Sequence, residues 1–318
     1  MKTGKGVDIL GIGNAIVDIQ TSVDESFLIE NELKKGVMTL VDKKMQYRIL
    51  SALKGHKLNK FSGGSAANTI IGFTQLGGRA RFIGKVGNDE YGTFYKEDMI
   101  KAGVEFETLC GNGVTGTCVV LVTPDAERTM LTCLGICGRI TPKDISIEDI
   151  KSAELIYIEG YLWDSPLAKE SCMAMLEEAK KLGKRVAFTV SDPFVVSRYK
   201  NEFLDLTKWI DLLFCNLQEG QELTGLNEKE KVICAIGELV PHVAMTLGRD
   251  GSIIFDRGNV CHVPTKIVEP IDTNGAGDAF AGGFLYSYIK GSSLDLCAKK
   301  GNWLSGLIVS QIGARNQK

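Results

Sequence analysis

The sequence predicts an α/β protein in which a central, mostly parallel sheet is flanked by helices on both faces and a small β-sheet forms a lid. Three observations lead there. Apolar runs of strand length alternate with segments of helical periodicity along most of the 318 residues, the pattern of a parallel sheet with crossover helices. That rhythm is broken in two places by β-rich chain, "GVMTLVD" and "GTCVVLVTPDAERTMLTCLG". Two glycine-rich stretches, "FSGGSAANT" and "DTNGAGDAF", run directly into apolar helical segments, which puts bare backbone at helix starts.

In order, "KGVDILGIGNAIVDIQ" reads as strand, glycine turn and further extended chain. "NTIIGFTQLGG" has apolar residues at helical spacing and stops at a glycine pair, Gly77 and Gly78, as helices do. "ARFIGKVG" is the next strand and turn, and "DEYGTFYKEDMIKAG" a helix stopped by Gly103. In residues 116–135, two runs rich in Val and Thr flank the turn "PDAE", a hairpin signal. With "GVMTLVD" (residues 36–42) they make the small inserted sheet. Alternation resumes after Pro142 with the strand "AELIYIEGYL" and the helix "SPLAKESCMAMLEEAKKLG", where Ser165 is the expected N-cap and Pro166 lies in the first turn. The strands "RVAFTVSD" and "IDLLFCN", the helix "LQEGQELTG" and the strand–turn–strand "HVAMTLGRDGSIIF" follow. A helix ending at Gly291 and a last one around "CAKKGNWLSGLIVSQIG" complete the chain. The expected division is a large domain of residues 1–14, 45–103 and 134–318, and a lid of residues 15–44 and 104–133.

Composition narrows the function. Hydrophobic residues at 44% and charged residues at 24% are the balance of an ordinary globular chain with a normal core. Thirty-seven basic against 39 acidic side chains give a formal charge of −2 with no basic block, which argues against a nucleic-acid surface. No apolar run approaches the roughly 18–20 residues of a membrane helix. Lys2 and Lys5 precede an apolar patch, but Asp8 and several glycines interrupt it, so it reads as a first buried strand rather than a secretion signal. Nine scattered cysteines form no C-x-x-C, and His56, His242 and His262 lack ligand spacing. Zinc is therefore not expected, and reduced thiols in a cytoplasmic protein are.

In "DTNGAGDAFAGGFLYSYIKG", residues 280, 284 and 288 and residues 281, 285 and 289 form adjacent apolar rows on one helix. The helix start then falls at residues 275–278, where the N–H groups of Ala276, Gly277 and Asp278 lie at the positive end of the dipole. Glycine lets an anion touch that backbone, so these N–H groups make a phosphate cradle. Asp278 sets a carboxylate beside it, and two readings are open. Either Asp278 accepts the proton of a hydroxyl attacking the phosphate, or it caps the helix and complements its dipole.

"FSGGSAANT" places Gly63 and Gly64 before a helix start and Asn68 in its first turns, which suits a polyol; the alternative is a glycine turn capped by Ser65. "GNAIVD" sets Asn14 and Asp18 just after the first strand, and an ionised Asp18 accepts from two neighbouring hydroxyls. "GIGNAI" has Ile16 where a dinucleotide fingerprint needs its third glycine, and no G-x-x-x-x-G-K-[ST] occurs, which weighs against a dehydrogenase and a P-loop enzyme. In "NLQEGQEL", Asn216 and Glu219 share a helical face, either to order water around a phosphate-bound Mg²⁺ or to cap the helix. "TLGRDG" is a strand-end turn of small residues, open both to a nucleotide and to an ordinary β-turn.

Together these stretches resemble the ribokinase-type (PfkB) family of carbohydrate and nucleoside kinases. Both family signatures are present, "FSGGSAANTIIGFTQLGGRARFIGKVGNDEYG" and "DTNGAGDAFAGGFL", with "NLQE" between them in the family's order. Within the family the adenosine kinase-like branch is most similar, on "GNAIVDI", Asn274, "ERTMLTCLG", "IEGYL" and "QIGAR". The resemblance implies a ribokinase-like fold and an ATP-dependent kinase that phosphorylates a primary hydroxyl, adenosine's first and that of ribose or fructose second. It implies Asp278 as catalytic base and Gly275, Ala276 and Gly277 as anion hole. Asp18, Gly64 and Asn68, with Asn14 nearby, would hold substrate hydroxyls. Asn216 and Glu219 would organise Mg²⁺ and phosphates, and Arg128 would swing from the hairpin toward the transferred phosphate. Thr246, Gly248 and Asn302 would lie by the nucleotide. No side chain is implied as a direct metal ligand; the family leaves room for a monovalent cation, and a monomer or homodimer with small-molecule partners is expected. Tyr161 and Trp163 are the aromatic candidates for a substrate base. A nucleoside- or sugar-binding protein without catalysis is the reading from a different class, and the intact Gly275, Gly277 and Asp278 speak against it.

Overall fold

A computed structural model of the protein describes residues 6–107, 109–125, 127–311 and 313–315. In chain order the strands are β1 (Val7–Ile12), β2 (Ile16–Ser22), β3 (Met38–Leu40), β4 (Asn59–Gly63), β5 (Ala80–Ile83), β6 (Lys85–Gly87), β7 (Leu109–Gly111), β8 (Gly116–Val122), β9 (Arg128–Cys133), β10 (Ala153–Glu159), β11 (Arg185–Thr189), β12 (Leu212–Asn216), β13 (His242–Thr246), β14 (Ser252–Asp256) and β15 (Asn259–Val263). The helices are α1 (Glu25–Glu30), α2 (Lys43–Ala52), α3 (Ser65–Gln75), α4 (Glu90–Lys101), α5 (Ile147–Ser152), α6 (Pro166–Lys181), α7 (Pro193–Leu206), α8 (Leu217–Thr224), α9 (Lys229–Gly237), α10 (Ala276–Ile289) and α11 (Leu294–Val309).

Alternate residues of the apolar runs point to opposite faces, and both faces are covered. Ile156, Ile158, Leu213 and Cys215 pack against α6 to α9, whereas Leu155, Tyr157, Leu212 and Phe214 pack against α3, α10 and α11. The eight-stranded sheet runs β15-β14-β13-β12-β11-β10-β1-β5. It is parallel from β5 to β13 and antiparallel through β14 and β15. This is the mostly parallel sheet with helices on both faces that the sequence predicts.

The second sheet runs β3-β9-β8-β2-β4, with β8 and β9 as the expected hairpin. Ala126 of its turn lies outside the described residues, as do residues 1–5 of the expected large domain and Ile312 of the closing "QIGAR". On one face Val119, Leu121 and Leu131 pack with Leu28, Ile49 and Leu53 beneath α1 and α2. The expected boundaries need correction. β4 pairs antiparallel with β2 from Ile16↔Gly63 to Gln20↔Asn59, and α2 supplies part of the small core, so residues 45–63 belong to the small unit. β7 pairs with β6 in a separate two-stranded sheet, so residues 104–115 do not. The small unit spans residues 15–63 and 116–133. Ser165 also differs from expectation: it holds the N-cap position of α6, but its hydroxyl donates to Gly138 O instead of capping.

Candidate active site

Because β1, β10, β11, β12 and β13 are parallel, their C-terminal ends share one edge of the sheet, the usual ligand edge of an open α/β fold. Asn14, Glu159, Ser191, Asn216 and Thr246 stand at or just beyond those ends. Two cavities meet there. One, of about 340 Å³, is lined by Asp18, Gly64, Asn68, Asn216, Glu219 and Asp278 among others. The other, of about 430 Å³, takes in Thr246, Gly248 and Asn302. Thr273, Ala276 and Gly277 line both, so the head of α10 is their common wall.

Asp278 sits in the first turn of α10, and its hydrogen-bond partners are on α3, not on its own helix. Ser65 Oγ donates to Oδ1 at 2.6 Å and Asn68 Nδ2 to Oδ2 at 2.9 Å. Ser65 and Asn68 are three residues apart, so both side chains lie on one face of α3. Burial pushes the Asp278 carboxyl up to about 6, against the opposing pull of these two bonds and of the Arg315 charge. A carboxyl at that value is mostly ionised at neutral pH and still basic enough to take a proton. Asp278 makes no capping hydrogen bond on its own helix, although its first-turn position still complements the helix dipole.

The glycines around it have separate reasons. Gly275 adopts φ +73°, and a Cβ there would lie 2.5 Å from Ala314 Cβ. At Gly277 a Cβ would meet nothing within 4 Å; the space beyond it is open, as an anion cradle requires. The Ala276 N–H is not presented outward as expected, because it is turned to Thr273 O at 3.3 Å. The helix head therefore offers the N–H groups of Gly277 and Asp278.

Gly63 and Gly64 are required by the protein itself. A Cβ on Gly63 would sit 2.6 Å from Asp18 Oδ2, and one on Gly64, at φ +100°, would sit 2.1 Å from Asn14 O. The pair lets β4 and the start of α3 close against the two residues expected at the substrate. Beneath them Glu159, fully buried, accepts from Asn14 N at 2.7 Å and from Ala66 N at 2.6 Å, which locks the loop after β1 to the head of α3. Burial pushes both Glu159 and Asp18 up to about 7; for Asp18, Arg315 and Arg128 pull the other way.

The small sheet roofs this cavity. Cys118 and Val120 of β8, Met130 and Thr132 of β9, and Met38 and Leu40 of β3 line it, alternating with the residues that face α1 and α2. Of the two aromatic candidates Tyr161 reaches the cavity. Trp163 is buried among Phe188 and Phe203 with ring centroids 5.6 and 5.5 Å away.

Asn216 and Glu219 form a reciprocal cap at the head of α8. Glu219 N donates to Asn216 Oδ1 at 2.8 Å, and the carboxylate accepts from Asn216 N at 2.8 Å and from Asn216 Nδ2 at 2.7 Å. The same pair lines the cavity, so the cap leaves both side chains at its wall. Burial pushes Glu219 up to about 7. Asn302 spends its amide on Val263 O at 3.0 Å and supports the loop that borders the second cavity. Arg128 is ion-paired with Asp272, the first residue of the glycine motif, rather than turned to the cradle.

Ser65, Glu159 and Arg315 are the site residues not selected from the sequence. The i, i+3 spacing of Ser65 and Asn68 was a usable signal for the first. Glu159 and Arg315 act across 93 and 247 positions of chain; each falls in a stretch that carries the resemblance, "IEGYL" and "QIGAR", but nothing local shows what it touches.

The family profile for pfkB family carbohydrate kinases matches residues 38–318. A solved structure of adenosine kinase from Sinorhizobium meliloti is 37% identical with a TM-score of 0.92, covering 98% of this chain and 97% of that one. A probable sugar kinase protein from Rhizobium etli CFN 42 is likewise 37% identical with a TM-score of 0.92, covering 99% and 96%. The adenosine kinase of Dictyostelium discoideum is 28% identical over 333 residues, 97% of this chain and 96% of its own length. Similarity of that extent, over both cavities and the helix head between them, places this chain in the pfkB family of carbohydrate kinases, as a phosphotransferase with an alcohol group as acceptor.

Proposed function

We propose that this kinase uses ATP to phosphorylate the 5′-hydroxyl of adenosine. The observation that carries the reading is Asp278, held by two hydrogen bonds from α3 at the wall between the cavities. The acceptor lies in the 340 Å³ cavity, with adjacent ribose hydroxyls on Asp18 and Asn68 beside Gly64 and Asn14. The nucleotide lies in the 430 Å³ cavity, by Thr246, Gly248 and the loop that Asn302 supports. Asp278 takes the proton of the acceptor hydroxyl as its oxygen bonds to the γ-phosphorus and the bond to the bridging oxygen breaks, releasing ADP. The N–H groups of Gly277 and Asp278 receive the charge on the transferred group.

Among the described residues no group of three His, Cys, Asp or Glu is placed to hold a metal ion. Mg²⁺ would travel with the phosphates and neutralise their charge, and Asn216 and Glu219, which line the cavity, would hydrogen-bond its water. The small unit is the proposed lid, closing over the acceptor to exclude water.

The similarity to a probable sugar kinase supports a second acceptor class, ribose or fructose. The roof favours the nucleoside: Met38, Leu40, Val120 and Met130 give an apolar surface that suits a purine and has no partner on a free sugar. Among the described residues no helix is long and apolar enough to cross a membrane. The cytoplasm is the proposed compartment, where nine unpaired cysteines stay reduced. The deciding experiment is a coupled assay of ADP release with adenosine, other nucleosides, ribose and fructose. Turnover with adenosine at least tenfold above any sugar is expected, about 1.4 kcal/mol of discrimination. A preference for ribose or fructose overturns the nucleoside reading, and no turnover with any acceptor overturns the kinase.

A further inference from the structure

Residues 313–315 lie beside the site, lining a cavity that shares Asp18 and Asn274 with the 340 Å³ one. Ala314 packs on Gly275, and Gly313 N donates to Asp272 Oδ2 at 2.8 Å. Arg315 then reaches α3 and α4 at once. Its Nε donates to Asn68 Oδ1 at 2.8 Å, and its Nη1 to Asp98 Oδ2 at 2.8 Å and to Ser62 Oγ. Asn68 in turn donates through Nδ2 to Asp278 Oδ2. The result is a relay of oriented groups, Asp98–Arg315–Asn68–Asp278, that joins α4, the tail, α3 and α10.

An amide has one accepting and one donating end, and the two differ little in shape. An unrestrained Asn68 is free to turn its oxygen toward the Asp278 carboxylate, which would repel it. Arginine has donors only, so its bond to Asn68 Oδ1 forces the NH₂ end onto Asp278. Asp98, paired with Nη1, fixes the guanidinium plane.

We propose that Arg315 is a positioning residue for phosphoryl transfer: by pinning the Asn68 amide it holds the Asp278 carboxylate where the acceptor hydroxyl is deprotonated. This rests on Asp278 being the base. The charged and titratable groups around that carboxylate are Arg315 from the tail, Asp18 from β2, Tyr157 and Glu159 from β10, Tyr161 beyond it and Glu219 from α8. Arg315 is the cation among the causes acting on Asp278, and it favours the ionised form.

The test compares Arg315→Met, Arg315→Lys, Asn68→Ala, the Arg315→Met/Asn68→Ala double variant and Asp278→Asn with the full chain. The readouts are kcat, KM for ATP, the pH profile of kcat/KM and unfolding temperature. Arg315→Met is expected to lower kcat by roughly ten- to hundredfold, part of the roughly 10²–10⁴-fold that a positioned base supplies, with KM for ATP within about twofold. Its acidic limb moves to higher pH, because a charge favouring the carboxylate is gone. Arg315→Lys keeps the charge and restores the limb, with partial recovery of kcat; it also serves if Arg315→Met does not fold. Since Arg315 acts through Asn68, the double variant is expected to be little worse than Asn68→Ala alone. Full additivity of the two losses, or kcat and the acidic limb unchanged in both Arg315 variants, overturns the proposal. If Asp278→Asn abolishes turnover in that case, the base assignment survives and only Arg315 is lost. If Asp278→Asn retains turnover, both fall together.

Discussion

Arg128, the first residue of β9, is ion-paired with Asp272, the first residue of the loop that opens α10. Asp272 is buried and also accepts from Asn274 N and Gly313 N, each at 2.8 Å. One carboxylate thus gathers the small sheet, the cradle loop and the C-terminal tail. The same arginine is the one expected at the transferred phosphate, and while it is paired with Asp272 its guanidinium is engaged away from the cradle.

Arg128→Ala leaves the buried Asp272 carboxylate with two N–H donors and no counter-charge. A loss of about 1–3 kcal/mol of stability is expected, read as a lower urea midpoint at unchanged slope. Adding Asp272→Asn is expected to recover part of it. A midpoint identical to that of the unsubstituted protein would show that the ion pair does not fasten the lid.

Asp278→Asn is expected to cut kcat by roughly 10²–10⁴-fold with little change in nucleotide binding by calorimetry. A base works only when ionised, and the Asp278 carboxyl is pushed up to about 6. Activity is therefore expected to fall as the pH drops through that region. A flat profile down to pH 4.5 contradicts the assignment.

Stability is expected to move the other way. Asp18, Glu159 and Glu219 are pushed up to about 7 and Asp278 to about 6, all chiefly by burial. Groups raised on folding contribute stability that is full below the ordinary carboxylate range and is lost as pH rises through the raised values. His242 opposes them, since burial lowers it and its contribution grows as pH rises. Asp89, Asp125, Asp144 and Asp295 are lowered, so what they contribute disappears only on acidification below the ordinary carboxylate range. Burial raises Asp192 as well, so with five raised carboxyls against one lowered imidazole the ligand-free protein is expected to be more stable at pH 5.5 than at pH 8. Urea unfolding at the two values decides it, and a higher midpoint at pH 8 refutes the account.

Asp18 accepts but does not donate when ionised, and it lines the acceptor cavity with Asn68. A substrate lacking one hydroxyl leaves it unpaired, at a cost of about 1–3 kcal/mol. 2′-Deoxyadenosine is expected to show kcat/KM at least roughly tenfold below adenosine, and Asp18→Ala to narrow the gap. Equal use of the two nucleosides by the unsubstituted enzyme would rule out recognition of the diol.

The parallel strands of the large sheet were legible because they obey one local rule: apolar throughout, punctuated by glycine or an N-cap. The small sheet was legible only in part. "CVVLV" shows no alternation because Val119 and Leu121 face α2 while Cys118 and Val120 face the cavity. That run betrays a strand but not what covers it, so α1 and α2 went unassigned. β4 was missed for the opposite reason: Asn59 and Lys60 are exposed and polar, and only pairing with β2 makes the segment a strand. β15 is exposed over four of its five residues and carried equally little apolar signal. At the site, Asp278 and its glycines stood out because helix-end chemistry is local. The contacts of Arg315 and Glu159 depend on how distant segments pack, which no window of sequence displays.

The wall shared by the two cavities has a stereochemical consequence. Thr273, Ala276 and Gly277 border both sides, so in the proposed placement, with acceptor in one cavity and nucleotide in the other, the two approach one phosphorus across this wall. A single in-line displacement inverts the configuration at phosphorus, whereas a relay through a phosphorylated side chain would invert it twice and retain it. ATP made chiral at the γ-phosphorus with oxygen isotopes and sulfur should therefore yield product of inverted hand, and the kinetics should require both substrates bound together before either product leaves.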